Sequence, residues 1–313
     1  MKTIKKSMYV LLSLMIALSV MLTGCTDKKT NDSATTDNRK FCMWEVTSKD
    51  SKGKLYLFGS MHYGDKSLYP LPSKATDAYD ECDCIAVEVN AIVTDDNVSY
   101  YGATYADGTS FADHYGNDIY EKLKKMLVDN HKYIPQLDYM IPNVWMAEID
   151  QIVMSKSGLS RDYGIDTYFI KSAEKDNKEI LEVESAEFQA QLSSKFSSDF
   201  TDYDIKTYAN TSIEDKVKSM LEEYEIYMAG DMDALMSRDD ADETVELTKD
   251  EKEALERYYQ VMLTDRNANM VEKAEQYLKE NRKCFYVVGA AHMGGDDGMV
   301  ELLKKKGYTV TRK

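Results

Sequence analysis

The chain has 313 residues, a formal charge of -16 and a hydrophobic content of 43%. That length suits one large domain or two small ones, and the apolar content excludes global disorder. The acidic balance argues against a nucleic-acid partner, because phosphate binding needs clustered Lys and Arg.

The first elements are targeting signals. Lys2, Lys5 and Lys6 precede the apolar run Met8–Leu22. That run is short for a spanning helix and reads as the h-region of a secretory signal. Leu22, Thr23, Gly24 and Cys25 close it and resemble a bacterial lipobox. The resemblance implies cleavage before Cys25 and lipidation of its thiol; the plainer alternative is a signal peptide with an incidental Cys. Residues 1–24 are the predicted signal peptide, and losing their three lysines takes the charge from -16 to -19. Residues 25–40 are polar, lack aromatics and read as a flexible tether. The expected location is lipid-anchored at the extracytoplasmic face of the cell membrane, with the bilayer as a partner. Residues 41–313 are the predicted single domain.

In chain order, Met43–Thr47 and Leu55–Phe58 read as a β-hairpin around a polar Gly-containing turn. Pro72 and Ser73 start a short helix with Ala75, Ala78 and Tyr79 on one face. Cys84–Asn90 reads as a strand, with Ile85, Val87 and Val89 on one side and Ala86 and Glu88 on the other. The chain is irregular to about Ser110, then helical with breaks at Pro135 and Pro142. A loop leads into a helix carrying Ile165, Phe169 and Ala173, and Glu179–Ser185 is the next strand. Residues 188–282 are helix-rich. There, Ile213, Val217, Met220, Leu221, Tyr224 and Met228 form one stripe, and two helices run over Lys249–Met262 and Asp265–Asn281. Strand Phe285–Val288, a helix near Met299–Lys305 and a last strand in "YTVTR" close the chain. The alternation predicts an α/β (α+β) fold: a central mixed sheet flanked by helices, with a helical insertion.

Two of the four histidines end apolar runs in the same way, as Gly59-x-x-His62 and Gly289-x-x-His292, where each Gly is expected to give a tight turn from which the His projects. In parallel or mixed sheets, ligands bind beyond the carboxyl ends of strands. If the two strands lie close together, His62 and His292 meet at one crevice and offer two imidazoles to a divalent metal. Glu88 is the candidate third ligand or general base, since a carboxylate on an apolar strand needs a partner. The alternative is a pair of hydrogen-bonded loop histidines. Asp166 and Glu184 are supporting candidates, with an N-cap and a surface carboxylate as their plainer readings. Asn267 shares a core stripe with Met270, Val271, Ala274 and Tyr277, so its amide needs a partner, and the adjacent Arg266 could bind an anion. A capping Asn and a salt-bridged Arg remain the alternatives. His114 and His131 read as surface residues. Cys42, Cys82, Cys84 and Cys284 could oxidise in an exported chain, but Cys82-x-Cys84 is too close to bridge to itself; buried or loosely paired thiols are expected.

Together these segments resemble the TraB/GumN family, which includes the Tiki proteins. The resemblance rests on "FCMWEVTSKDSKGKLYLFGSMHYGDKSLYPLP", on "ATDAYDECDCIAVEVN" with Glu88, and on the Gly164-Ile165-Asp166 helix. It continues through Glu184 (followed by Ser185 where Thr is usual), Gly230-Asp231, Arg266-Asn267 and "FYVVGAAHMGGDDGMVELLKKKGYTV". Residues 90–160 resemble it least. The resemblance implies a fold similar to erythromycin esterase, ChaN-like and Tiki proteins. It also implies a metal-dependent protease site built on the two Gly-x-x-His histidines and Glu88, with manganese or cobalt favoured over zinc. On that basis the expected function is a surface-anchored hydrolase of extracellular peptides. The alternatives are a non-catalytic peptide- or metal-binding lipoprotein, or an esterase-type hydrolase of a small molecule.

Overall fold

A computed structural model describes residues 41–90, 103–192, 195–196, 198–237 and 247–313. The expected signal peptide, lipidated Cys25 and tether lie outside these residues. No helix among the described residues is long and apolar enough to cross a membrane.

The hairpin forms as read, from β1 (Met43–Thr47) and β2 (Lys54–Ser60). Helix α1 (Ser73–Glu81) leads to β3 (Cys84–Val87). Later strands are β4 (Glu179–Glu182), β5 (Lys283–Gly289) and β6 (Thr309–Arg312). They form one six-stranded mixed sheet in the order β4-β3-β5-β2-β1-β6. The strands β4, β3, β5 and β2 are mutually parallel, and β1 and β6 complete the sheet antiparallel. The fold is α/β, as the alternation of elements predicted. The four parallel strands bring four loops to one crest, which is where such sheets bind ligands.

Two sequence expectations are corrected at this crest. The strands at Cys84 and Glu179 end at Val87 and Glu182, earlier than their apolar pattern suggested. Glu88 and Glu184 therefore stand just beyond the pleat. Neither Gly59 nor Gly289 is in the positive-φ region, so neither serves as a tight turn. Both permit close approach instead. A Cβ on Gly59 would lie 3.0 Å from Cα of Ala290 and 3.0 Å from Cβ of Cys42.

Helices α2 (Phe111–Asp129) and α3 (Pro142–Ser157) precede α4 (Ile165–Asp176) and α5 (Ala186–Leu192). Helices α6 (Ser198–Asn210), α7 (Ile213–Ala229) and α8 (Met232–Ser237) follow. The helical run is interrupted at Pro135 and Pro142 as read, and Pro142 starts α3, where a first-turn residue has no N–H partner to lose. Helix α9 (Lys249–Tyr259) runs through a π-helical stretch, Gln260–Thr264, into α10 (Asp265–Lys279). The expected break there is absent: residues 259, 260, 264 and 265 all keep helical dihedrals. Helix α11 (Met299–Lys305) precedes β6. One core packs on the sheet, with Phe58, Phe169 and Phe285 at its centre. A second core around Trp145 and Phe111 holds α2, α3, α6 and the start of α7. The stripe on α7 differs from its apolar reading, since Lys216 and Glu223 are buried while Val217, Met220, Leu221 and Met228 are half-buried. Cys42, Cys82, Cys84 and Cys284 are buried free thiols. His114 and His131 are exposed.

Candidate functional site

The crest gathers His62 from the loop after β2, Glu88 after β3, Glu184 after β4 and His292 after β5. Arg266 and Asn267 reach the same place from the first turn of α10. The residues singled out from the sequence, with Asp166, thus belong to one site.

Arg266 organises the acidic half. Its Nε donates to Glu184 Oε1 at 2.8 Å. Its Nη2 donates to Glu88 Oε2 at 2.7 Å and to Glu184 Oε2 at 2.8 Å. Nη1 donates to the Met262 carbonyl at 3.2 Å, inside the π-helical stretch. The guanidinium is 2% exposed and each glutamate 8%. Burial alone would push the Glu88 carboxyl up. The adjacent Arg266 outweighs it, with help from His292, His62 and the Gly289 N–H, and holds the carboxyl at about 2. That N–H donates to Glu88 Oε1 at 2.6 Å. Gln189, on α5, donates to Glu184 Oε2 at 2.9 Å and Glu88 Oε2 at 3.3 Å. The sequence reading missed Gln189, because nothing in its polar helical surroundings marks it.

The histidines are each fixed at Nδ1. Asn267 Nδ2 donates to the Asp297 carbonyl at 2.8 Å, which turns Oδ1 toward His292 Nδ1 at 2.6 Å. The His292 proton therefore sits on Nδ1, and the Nε2 lone pair is free. This Nε2 is buried, lacks a hydrogen-bond partner and lies 3.7 Å from Glu88 Oε1. Burial, reinforced by Arg266, lowers the His292 pKa to about 3, so the ring is neutral. His62 Nδ1 pairs with Asp166 Oδ2 at 3.3 Å, and its side chain is 26% exposed. Burial lowers its proton affinity, but Asp166 prevails and leaves it raised above 6.5. The N-cap reading of Asp166 is corrected. Gly164 holds the cap position, and the Asp166 carboxylate serves His62 instead.

Gly289 marks where these groups converge. A Cβ there would lie 3.2 Å from Glu88 Oε1, 3.6 Å from His62 Nε2 and 3.6 Å from His292 Cδ2. Two imidazole lone pairs and a carboxylate oxygen therefore face one small space. This donor set suits a divalent cation, with both second nitrogens held by partners that fix ring orientation. Among the described residues, however, no three His, Cys, Asp or Glu side chains already form a ligand group. Glu88 is held back by Arg266 and the Gly289 N–H.

The chain is 25% identical over 145 residues to the uncharacterized protein YbaP of Escherichia coli (strain K12). The YbaP of Shigella flexneri matches to the same extent. The alignment covers 44% of this chain and 50% of each relative, so the chain spans about half the length of these curated relatives. No solved structure matches. The family model for TraB/PrgY/gumN proteins matches residues 42–312, nearly the whole described domain, and the chain belongs to the TraB/PrgY/gumN family.

Proposed function

We propose that the chain is a metal-dependent hydrolase of peptides, held at the extracytoplasmic face of the membrane through Cys25. The carrying observation is the buried His292 Nε2, a lone pair with no partner, directed to the space it shares with His62 and Glu88. A buried acceptor left empty costs about 1–3 kcal/mol, which a ligand there would offset. His62 and His292 would hold a divalent cation, with Glu88 as the anionic third donor. The ion would supply Lewis-acid polarisation of a scissile carbonyl.

The chain's own residues have definite tasks in this reading. Asn267 keeps the His292 proton on Nδ1, and Asp166 does the same for His62. Arg266 commits four of its five N–H groups to two carboxylates and a carbonyl, so it is a positioning residue that keeps Glu88 ionised. A carboxyl held at about 2 is a weak proton acceptor at neutral pH, which favours Glu88 as ligand over general base.

One observation supports a second reading, a metal-free hydrolase. The His62–Asp166 pair leaves a partly exposed imidazole with raised proton affinity, suited to a general base.

The test is metal content by mass spectrometry after loading with manganese, cobalt or zinc. About one ion per chain is expected, lost in both His62→Ala and His292→Ala. No retained metal, with peptide or ester cleavage that survives chelator, would select the metal-free base. Retained metal without turnover of either panel would select the binding lipoprotein.

Gly289→Ala supplies a second check, because its methyl would occupy the shared space. Metal affinity should fall roughly tenfold or more, the scale of losses when ligand support is disturbed. The thermal midpoint should move by no more than about 3 °C. Unchanged affinity would place the ion elsewhere.

A further inference from the structure

Arg161 is a second arginine near the crevice, and its circumstances are opposite to those of Arg266. It opens a short 3-10 turn, Arg161–Tyr163, whose N-cap Ser160 accepts from the Asp162 N–H. That turn is stitched to the loop carrying His62. Gly64 and Ser160 exchange backbone hydrogen bonds at 3.0 and 2.8 Å, and the Ile165 N–H donates to the Met61 carbonyl at 2.9 Å. At Gly164 a Cβ would lie 2.7 Å from the His62 carbonyl oxygen and 3.1 Å from that of Arg161. The backbones of His62 and Arg161 are therefore fixed relative to each other.

The guanidinium of Arg161 makes no hydrogen bond and no ion pair among the described residues, although it is only partly exposed. Its carboxylate neighbours are committed elsewhere. Asp166 gives Oδ2 to His62, and its Oδ1 is buried without a partner, so the arginine has not closed onto it. Asp150 accepts from the Tyr208 hydroxyl at 2.8 Å. Burial depresses the Arg161 pKa to about 10 against the pull of both carboxylates. A desolvated guanidinium with unspent donors suits a planar anion, which it can grip with two parallel hydrogen bonds.

We infer that Arg161 is the specificity-determining residue of the crevice and receives a substrate carboxylate, the free C-terminus of a peptide, beside His62. The inference rests on reading the crevice as a peptidase centre. It makes the substrate class peptides cut close to their carboxyl end, because arginine and histidine sit on adjoining backbone segments. Arg266 is poorly placed for this part, since Glu88 and Glu184 already take three of its five N–H groups and balance its charge.

The test is a binding competition on ice. The purified full chain is exposed to an equimolar pool of N-acetylated hexapeptides in free-acid and C-terminally amidated forms. Mass spectrometry of the retained fraction gives the acid-to-amide ratio. The wild type should favour the acid roughly tenfold, the scale of one charge-assisted contact. Arg161→Gln should bring the ratio near unity, and Arg161→Lys should restore part of it. Urea midpoints and metal loading are measured on the same samples, and both should stay at wild-type values. A wild-type ratio near unity, or a preference that survives Arg161→Gln, would overturn the assignment and leave the hydrolase reading standing. Failure of the wild type to retain either form would also overturn it. The metal loading of His62→Ala beside it then shows whether the peptidase reading falls too.

Discussion

Arg266→Met is expected to destabilise the domain by about 3–5 kcal/mol, the usual cost of removing one partner from a buried ion pair. The substitution keeps much of the side-chain volume, so little of the loss is a cavity effect. The cost comes from Glu88 and Glu184, each 8% exposed, which would face each other without the cation that now donates to both. A urea melt followed by circular dichroism measures it. The triple variant Arg266→Met, Glu88→Gln, Glu184→Gln should recover much of the stability, because no unpaired charge then remains buried. Loss below about 1 kcal/mol in the single variant would mean that water, rather than Arg266, neutralises the glutamates.

The second large effect concerns pH. Asp204 on α6, Asp150 on α3 and Lys216 on α7 meet in the helical layer, beside Tyr208 and Tyr258. Lys216 Nζ lies 3.9 Å from the Tyr208 ring centroid, while Nζ and Asp204 Oδ1 lack hydrogen-bond partners. Burial, aided by Asp150, raises the Asp204 pKa from 3.8 to about 7. The folded state therefore keeps a proton that the unfolded chain releases. This contribution is fully present below the unfolded value and is lost as pH rises through the folded one. Asp204→Asn removes the titration, so it should be nearly neutral below about pH 4, where the wild type is protonated in both states. At about pH 8 it should be more stable than the wild type by roughly 4 kcal/mol, since the shift from 3.8 to about 7 is about three pKa units, each worth about 1.4 kcal/mol. His62 and His292 titrate in both proteins and cancel in the difference. Paired urea melts across this range check the slope, and a pH-independent difference would refute it.

Much of this architecture was legible in the sequence, for identifiable reasons. The hairpin, the strand at Cys84 and the closing strand–helix–strand follow from period-two and period-3.6 burial, which are properties of local chain geometry. The repeated Gly-x-x-His units pointed to one crevice because strand ends are where sheets present loops. Asn267 stood out as an amide on an apolar stripe, and His292 proved to be the partner it needed.

Other features depended on strand order and packing. No local pattern says that β3 and β5 are neighbours, and only that pairing brings Glu88 within reach of the Gly289 N–H. Gln189, Arg161 and Lys216 match no motif and no stripe that would mark them, so their local sequence offered no sign of their places. The roles of Asp166 and the two glycines changed for the same reason: what approached each of them came from distant segments. The sequence by itself determined the elements and pointed to most of the residues that meet at the crest, because propensity and periodicity act over a few residues. The tertiary structure decided which charges are paired and which are left open. Burial and Coulomb attraction depend on distances across the fold; at this site they commit Arg266 to two carboxylates and, among the described residues, leave His292 Nε2 and the Arg161 guanidinium without a hydrogen-bond partner.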